Sequence, residues 1–165
     1  MPSDLISLAD WPTESVHHVL QVAGDLKQKR NRGEEYRPLR GKTLILIFEK
    51  PSLRTRITFE TGAFQLGCRS IFVEDILGKR ESIPDVARNL ERWVDGIIAR
   101  THSHEAIVEL AEYSSVPVIN ALTNKLHPCQ VLADAQTLLD HKGRLDGLKV
   151  AFVGDGNNMC AAWAN

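Results

Sequence analysis

The run TLILIF (43–48) limits what this chain can become more than any other stretch. It is apolar without alternation, so as a strand it must be covered on both faces, which is the habit of a parallel sheet. SIFVE (70–74), DGIIAR (95–100), VPVIN (116–120) and GLKVAFVGDG (147–156) read as further strands. Helical segments separate them. Residues 53–66 are stopped by Gly67, 83–93 open on a capping-box-like Ser82 with Asp85 and Pro84, HEAIVELAEY is capped by Ser103, and a longer helix runs from about Pro128 to Asp140. Before the first strand, Val16, Val19, Leu20, Ala23 and Leu26 recur at helical spacing, with Asp10 as the expected cap, Pro12 in the opening turn and Gly33 closing the segment. Strict alternation of strand and helix predicts an α/β fold, a parallel sheet flanked by helices on both faces.

The polar and apolar balance excludes several classes. With 43% hydrophobic and 25% charged residues and a formal net charge of -1, the chain suits a globular core and carries no general basic footprint for nucleic acid. Its apolar runs are too short to span a bilayer, and MPSDLISLADWP has neither a basic start nor a long apolar stretch, so no membrane partner and no secretory signal are expected. The 3 cysteines, Cys68, Cys129 and Cys160, are widely spaced with no C-x-x-C, which points to reduced thiols and a cytoplasmic setting.

Open parallel sheets bind ligands beyond the carboxyl ends of their strands. Here the first strand runs into EKPSLRTR, the third ends at Arg100, and the fourth runs into ALTNKLHPCQ. Ser52 stands where strand becomes helix, so the N–H groups of Leu53, Arg54 and Thr55 form a first turn whose dipole favours an anion, and Arg54 adds a planar fork for phosphate oxygens. An isolated S-x-R-x-R is more often a helix cap with solvated arginines; Arg100 and His127 on the same edge favour an anion site. His127 and Gln130, three apart at a helix start, can face one point. His102 and His104 in THSH would point apart and have no acidic or cysteine ligand beside them, so no metal is expected there. VGDGNNM supplies only part of a dinucleotide loop, with Met159 where the third glycine would stand.

The stretches FEKPSLRTRITFE, LGKRESIPDVARNLERWVDGIIART, SVPVINALTNKLHPCQVLAD and GLKVAFVGDGNNM together resemble the aspartate/ornithine carbamoyltransferase family, over most of residues 43–159. The resemblance implies a transferase with two α/β domains and no metal or organic cofactor. It implies carbamoyl phosphate held by Ser52, Leu53 (through its N–H), Arg54, Thr55 and Arg100, a carbamoyl oxygen polarised by Thr55, Arg100 and His127, and a carbamoyl amide held by Gln130. Catalysis would rest on Arg100, His127 and Thr55. L-Ornithine would be the amine, yielding citrulline on the way to arginine, with Asn157 and Asn158 at its amino-acid end. Relatives form trimers through this first domain, so a homo-oligomer is implied. Arg56 lies in the motif, but the helix turns it away from its neighbours' shared point. Leu53 replaces the family's usual Thr, losing only a hydroxyl, and Ile76 stands near where relatives carry a polar residue that reaches a neighbouring subunit.

The polar stretch LLDHKGRLDG (138–147) marks the expected boundary. Residues 1–142 would form the carbamoyl phosphate domain and 143–165 the truncated beginning of the ornithine domain, with this chain inactive alone. A carbamoyltransferase for putrescine or aspartate, a non-catalytic phosphometabolite-binding or trimer-forming module, and a nicotinamide nucleotide domain are the competing readings.

Overall fold

The computed structural model describes residues 3–9, 11–74 and 76–165. The expected cap at Asp10 lies outside the described residues, and the first helix, α1 (Thr13–Asn31), has Pro12 at its N-cap rather than inside its opening turn. There follow β1 (Thr43–Phe48), α2 (Leu53–Gln65), β2 (Arg69–Glu74), α3 (Ile83–Leu90), β3 (Gly96–Arg100), α4 (His104–Glu112), β4 (Val118–Leu122), α5 (Pro128–Lys142) and α6 (Asn158–Ala164). Ser82 and Ser103 cap α3 and α4 as read from the sequence, accepting from the N–H groups of Asp85 and Ala106. Glycine is required at position 67, where the chain leaves α2 with φ 86° and packs against Arg37.

The strands form one parallel sheet in the order β2-β1-β3-β4. The uniform run of β1 has the predicted consequence. Ile45 and Ile47 pack with Ile97, Ala99 and Val118 against Val86, Ala87 and Leu90 of α3 and Ile107 and Leu110 of α4. Leu46 and Phe48 join Ile98 and Ala121 on the opposite face, where Phe59 of α2 covers them. Helix α5 packs on β4, and α1 on α5. Because β2 lies on one side of β1 and β3 on the other, the chain reverses direction across the sheet between β1 and β3. The carboxyl ends of those two strands, Phe48 paired with Arg100, therefore open a crevice at the switch point.

The N-terminal residues extend this sheet. Leu5 bridges Ile119 in parallel, donating to the Val118 carbonyl (2.9 Å) and accepting from the Asn120 N–H (2.8 Å). Asp4 accepts the N–H of Val118, and the Asn120 side chain donates to the Ile6 carbonyl.

The strand expected at 147–156 does not form. The run is irregular, with Val150, Phe152 and Val153 exposed, Val153 at 95%. Its apolar character reflects a tendency to bury, but a strand also needs a pairing edge, and the outer side of β4 is already met by Leu5. The helix expected after it is present as α6, whose Ala162 packs with Leu126 and Val131.

Candidate active site

The turn from β1 into α2 is held by its neighbour strand. The N–H of Glu49 donates to the Arg100 carbonyl (2.9 Å), and the Glu49 carboxylate accepts the N–H of His102 (2.8 Å). Ser52 then takes an extended conformation at the N-cap of α2, and its hydroxyl makes no capping bond. The N–H groups of Leu53, Arg54 and Thr55 thus open the helix without intrahelical acceptors and without a side-chain cap. On the other side, a tight turn sets the start of α5. Buried Thr123 accepts from the N–H of Leu126 through its hydroxyl (3.1 Å), and its own N–H donates to the Leu126 carbonyl (2.9 Å). This places His127 at the N-cap of α5, followed by Pro128, whose missing N–H costs nothing in a first turn.

Ser52, Arg54, Thr55, Arg100, His127 and Gln130 line one cleft of about 560 Å³. They come from three separate segments, the same residues that the sequence places on one edge. Arg100 Nη1 lies 3.5 Å from Thr55 Oγ1. Among the described residues, Arg100 Nε and His127 Nδ1 are buried with no hydrogen-bond partner. Burial lowers the Arg100 pKa from its very high ordinary value, and the guanidinium still keeps its charge at any working pH. Burial likewise pushes His127 below 6.5, helped by the Arg100 charge and opposed by Asp134. The cleft therefore brings together a fixed cation, an imidazole whose pKa is lowered and an uncapped helix N-terminus.

Several residues fall outside this group. The Leu53 side chain is 76% exposed and does not line the cleft, leaving only its N–H to contribute. Arg56 is turned away, paired with Glu60 (3.1 Å) and stacked over Phe72 (3.6 Å to the ring centroid). Asn157 and Asn158 line a separate hollow with Asn124, Lys125 and Leu126. There Asn157 caps α6 and Asn158 donates to the Thr123 carbonyl (3.0 Å). His104 is engaged with the Thr123 hydroxyl (3.1 Å), and Ile76 packs against the core.

Thr58, Met159 and Cys129 also line the cleft. The sequence reading assigned none of them to the site. Cys129 is half-buried as a residue, but its sulfur is enclosed and donates to the Asn120 carbonyl (3.3 Å), and burial pushes the thiol up to about 12. It is a packing group beneath the site and no nucleophile.

A parallel sheet with such a cleft at its switch point has a counterpart among known proteins. Residues 3–140 match the family model described as aspartate/ornithine carbamoyltransferase, carbamoyl-P binding domain, and the chain belongs to this family. Among its relatives, the ornithine carbamoyltransferase of Anoxybacillus flavithermus is 50% identical over 162 residues, covering 96% of this chain and 52% of that protein. Solved ornithine carbamoyltransferases from Burkholderia thailandensis and Pyrococcus furiosus superpose with TM-scores of 0.95 and 0.94, at 45% and 42% identity. These matches cover 98% and 96% of this chain and 57% and 52% of those chains. The chain thus spans about half the length of the relatives it matches.

Proposed function

We propose that the cleft binds carbamoyl phosphate and that the whole protein transfers its carbamoyl group to the side-chain amine of L-ornithine, giving L-citrulline and phosphate. The observation that carries this reading is the convergence of an uncapped helix N-terminus, Arg54, Arg100, His127 and Gln130 on one cleft. The phosphoryl group sits on Ser52, the N–H groups of Leu53, Arg54 and Thr55, and the guanidinium of Arg54. Arg100 lies between phosphate and carbonyl. An uncharged amine attacks the carbamoyl carbon, negative charge develops on the carbonyl oxygen, and the bond to the phosphate oxygen breaks. Thr55, Arg100 and His127 stabilise that oxygen; in other enzymes one such donor contributes roughly 3–4 kcal/mol. Because His127 is held neutral, it serves as a hydrogen-bond donor to the oxygen, with the positive charge supplied by Arg100.

We place the domain boundary after α5, assigning residues 1–142 to carbamoyl phosphate and 143–165 to the start of the ornithine domain. Helix α5 ends at Lys142, Gly143 turns the chain with φ 70°, and the family match ends at residue 140. Asn157 and Asn158, on the downstream side of that boundary, are assigned to the amino-acid end of ornithine. Within this reading the protein is a cytoplasmic homotrimer of arginine biosynthesis. No helix of the described residues is long and apolar enough to cross a membrane.

Calorimetry with inorganic phosphate and carbamoyl phosphate, on wild type and Arg54→Ala, tests the site. A loss of about tenfold or more in affinity is expected for both ligands, since a charge-assisted hydrogen bond contributes about 1.5–3 kcal/mol. Equal affinities would remove Arg54 from the cradle. A citrulline assay on the whole protein with His127→Ala tests the transfer step.

A further inference from the structure

Gln130 is a side chain of the cleft whose amide could face a ligand in either sense, since its oxygen accepts and its nitrogen donates. The structure removes this ambiguity through a residue one helical turn away. Gln130 Nε2 donates to Asp134 Oδ1 at 2.9 Å. The other carboxylate oxygen, Asp134 Oδ2, accepts the indole N–H of Trp163 at 3.2 Å. An ionised carboxylate can only accept. The group Gln130 turns to it must therefore be the NH₂, so the end of the amide not committed to Asp134 is the carbonyl oxygen.

We propose that Asp134 is a positioning residue that fixes the sense of the Gln130 amide and so makes the cleft select a ligand bearing an NH₂ group over one bearing a methyl group at the same place. This rests on the carbamoyl phosphate reading and adds to it the basis of discrimination against other acyl phosphates. Carbamoyl and acetyl phosphate have nearly the same shape and charge. They differ in that one offers N–H donors where the other offers carbon. A cleft that presented the Gln130 NH₂ would repel the first; one that presents the oxygen rewards it. Trp163 completes the device from α6, which lies beyond the proposed domain boundary and packs on α5 around Val131. The orientation of a group in the phosphate domain is thereby tied to the seating of the next segment.

Two hydrolysis-resistant probes isolate the effect: phosphonoacetamide, with the NH₂, and acetonylphosphonate, with a methyl in its place. Their dissociation constants are measured by calorimetry on wild type and Asp134→Asn, with inorganic phosphate as a third ligand. Asparagine keeps the shape but can donate as well as accept, so the sense of Gln130 is no longer imposed. Wild type should prefer phosphonoacetamide by about tenfold, one net hydrogen bond. In Asp134→Asn the preference should fall to about threefold or less, while phosphate affinity stays within about twofold. A preference retained in Asp134→Asn overturns the proposal. So does a loss of affinity shared equally by all three ligands, which would mark Asp134 as merely structural. Wild type that binds phosphate without preferring phosphonoacetamide overturns the proposal and leaves the anion site standing; wild type that binds none of the three overturns the carbamoyl phosphate reading itself. If Asp134→Asn does not fold, Trp163→Phe loosens the same carboxylate without changing charge. It should lower the preference about threefold, and an unchanged preference there is equally fatal.

Discussion

Arg100 bears a charge that no carboxylate pairs with among the described residues. Its Nε is buried without a partner among the described residues, its Nη1 lies 3.5 Å from Thr55 Oγ1, and burial lowers its pKa. Replacing it with methionine, of similar length and no charge, should therefore stabilise the free protein. Complete burial of an unpaired charge costs several kcal/mol. Arg100 is only half-buried, so water screens much of that, and a gain of about 1 kcal/mol is expected. For a chain of this size the gain is a rise of about 2–4 °C in Tm. Phosphate should favour the wild type instead. At a phosphate concentration of about 100 times the wild-type Kd, binding stabilises the native state by about 2.7 kcal/mol, a further rise of about 5–10 °C. Losing the Arg100 contact weakens binding up to about a hundredfold. At the same phosphate concentration Arg100→Met would then gain only about 0.4 kcal/mol, or about 1 °C. Thermal unfolding of both proteins with and without phosphate reads all four values. A lower Tm for Arg100→Met without phosphate would show that the guanidinium is structurally compensated. An undiminished phosphate response would show that it does not touch the anion.

Gly67→Ala should cost about 2–4 kcal/mol in urea unfolding, because φ is 86° and an added Cβ would lie 2.8 Å from Arg37 Cβ. Cys129, with its thiol pushed up to about 12, should resist alkylation at pH 8 in the native state and react on unfolding, as peptide mapping would show. NMR titration should give His127 a midpoint below 6.5. The unfolded chain then takes up this proton first as pH falls, so the His127 contribution to stability is constant above 6.5 and declines between 6.5 and the folded midpoint. The pH dependence of unfolding in His127→Ala should lack that slope.

The sheet was legible because the uniform run of β1 leaves one physical solution, burial on both faces, which Ile45 and Leu46 then take up on opposite sides. The site was legible because residues at strand ends are brought together by the sheet itself; Thr55 and Arg100 are far apart in sequence and adjacent once β1 and β3 pair. The strand expected at 147–156 was misread because apolar content shows an appetite for burial but names no partner. Asp134 was missed for the converse reason. Its spacing of four from Gln130 on a helix is visible, but the carboxylate is held on its far side by Trp163 only once the chain has folded. The bridge at Leu5 left no signal at all, since a single paired residue has no periodicity.

That bridge has a consequence for how the molecule is made. Asp4 and Ile6 bond to Val118 and Asn120 across 114 residues of chain. During synthesis residues 4–6 emerge long before β4, so their partner strand is still unmade, and such long loops close late. Until Asn120 has cleared the ribosome, residues 4–6 are an unpaired edge-forming segment; once β4 appears, they close over a strand that would otherwise offer its bare edge to another nascent chain. Residues translated ahead of β1 are thus the last to be fastened to the sheet, and a fragment ending before β4 should be markedly more prone to aggregate on the ribosome than one that includes it.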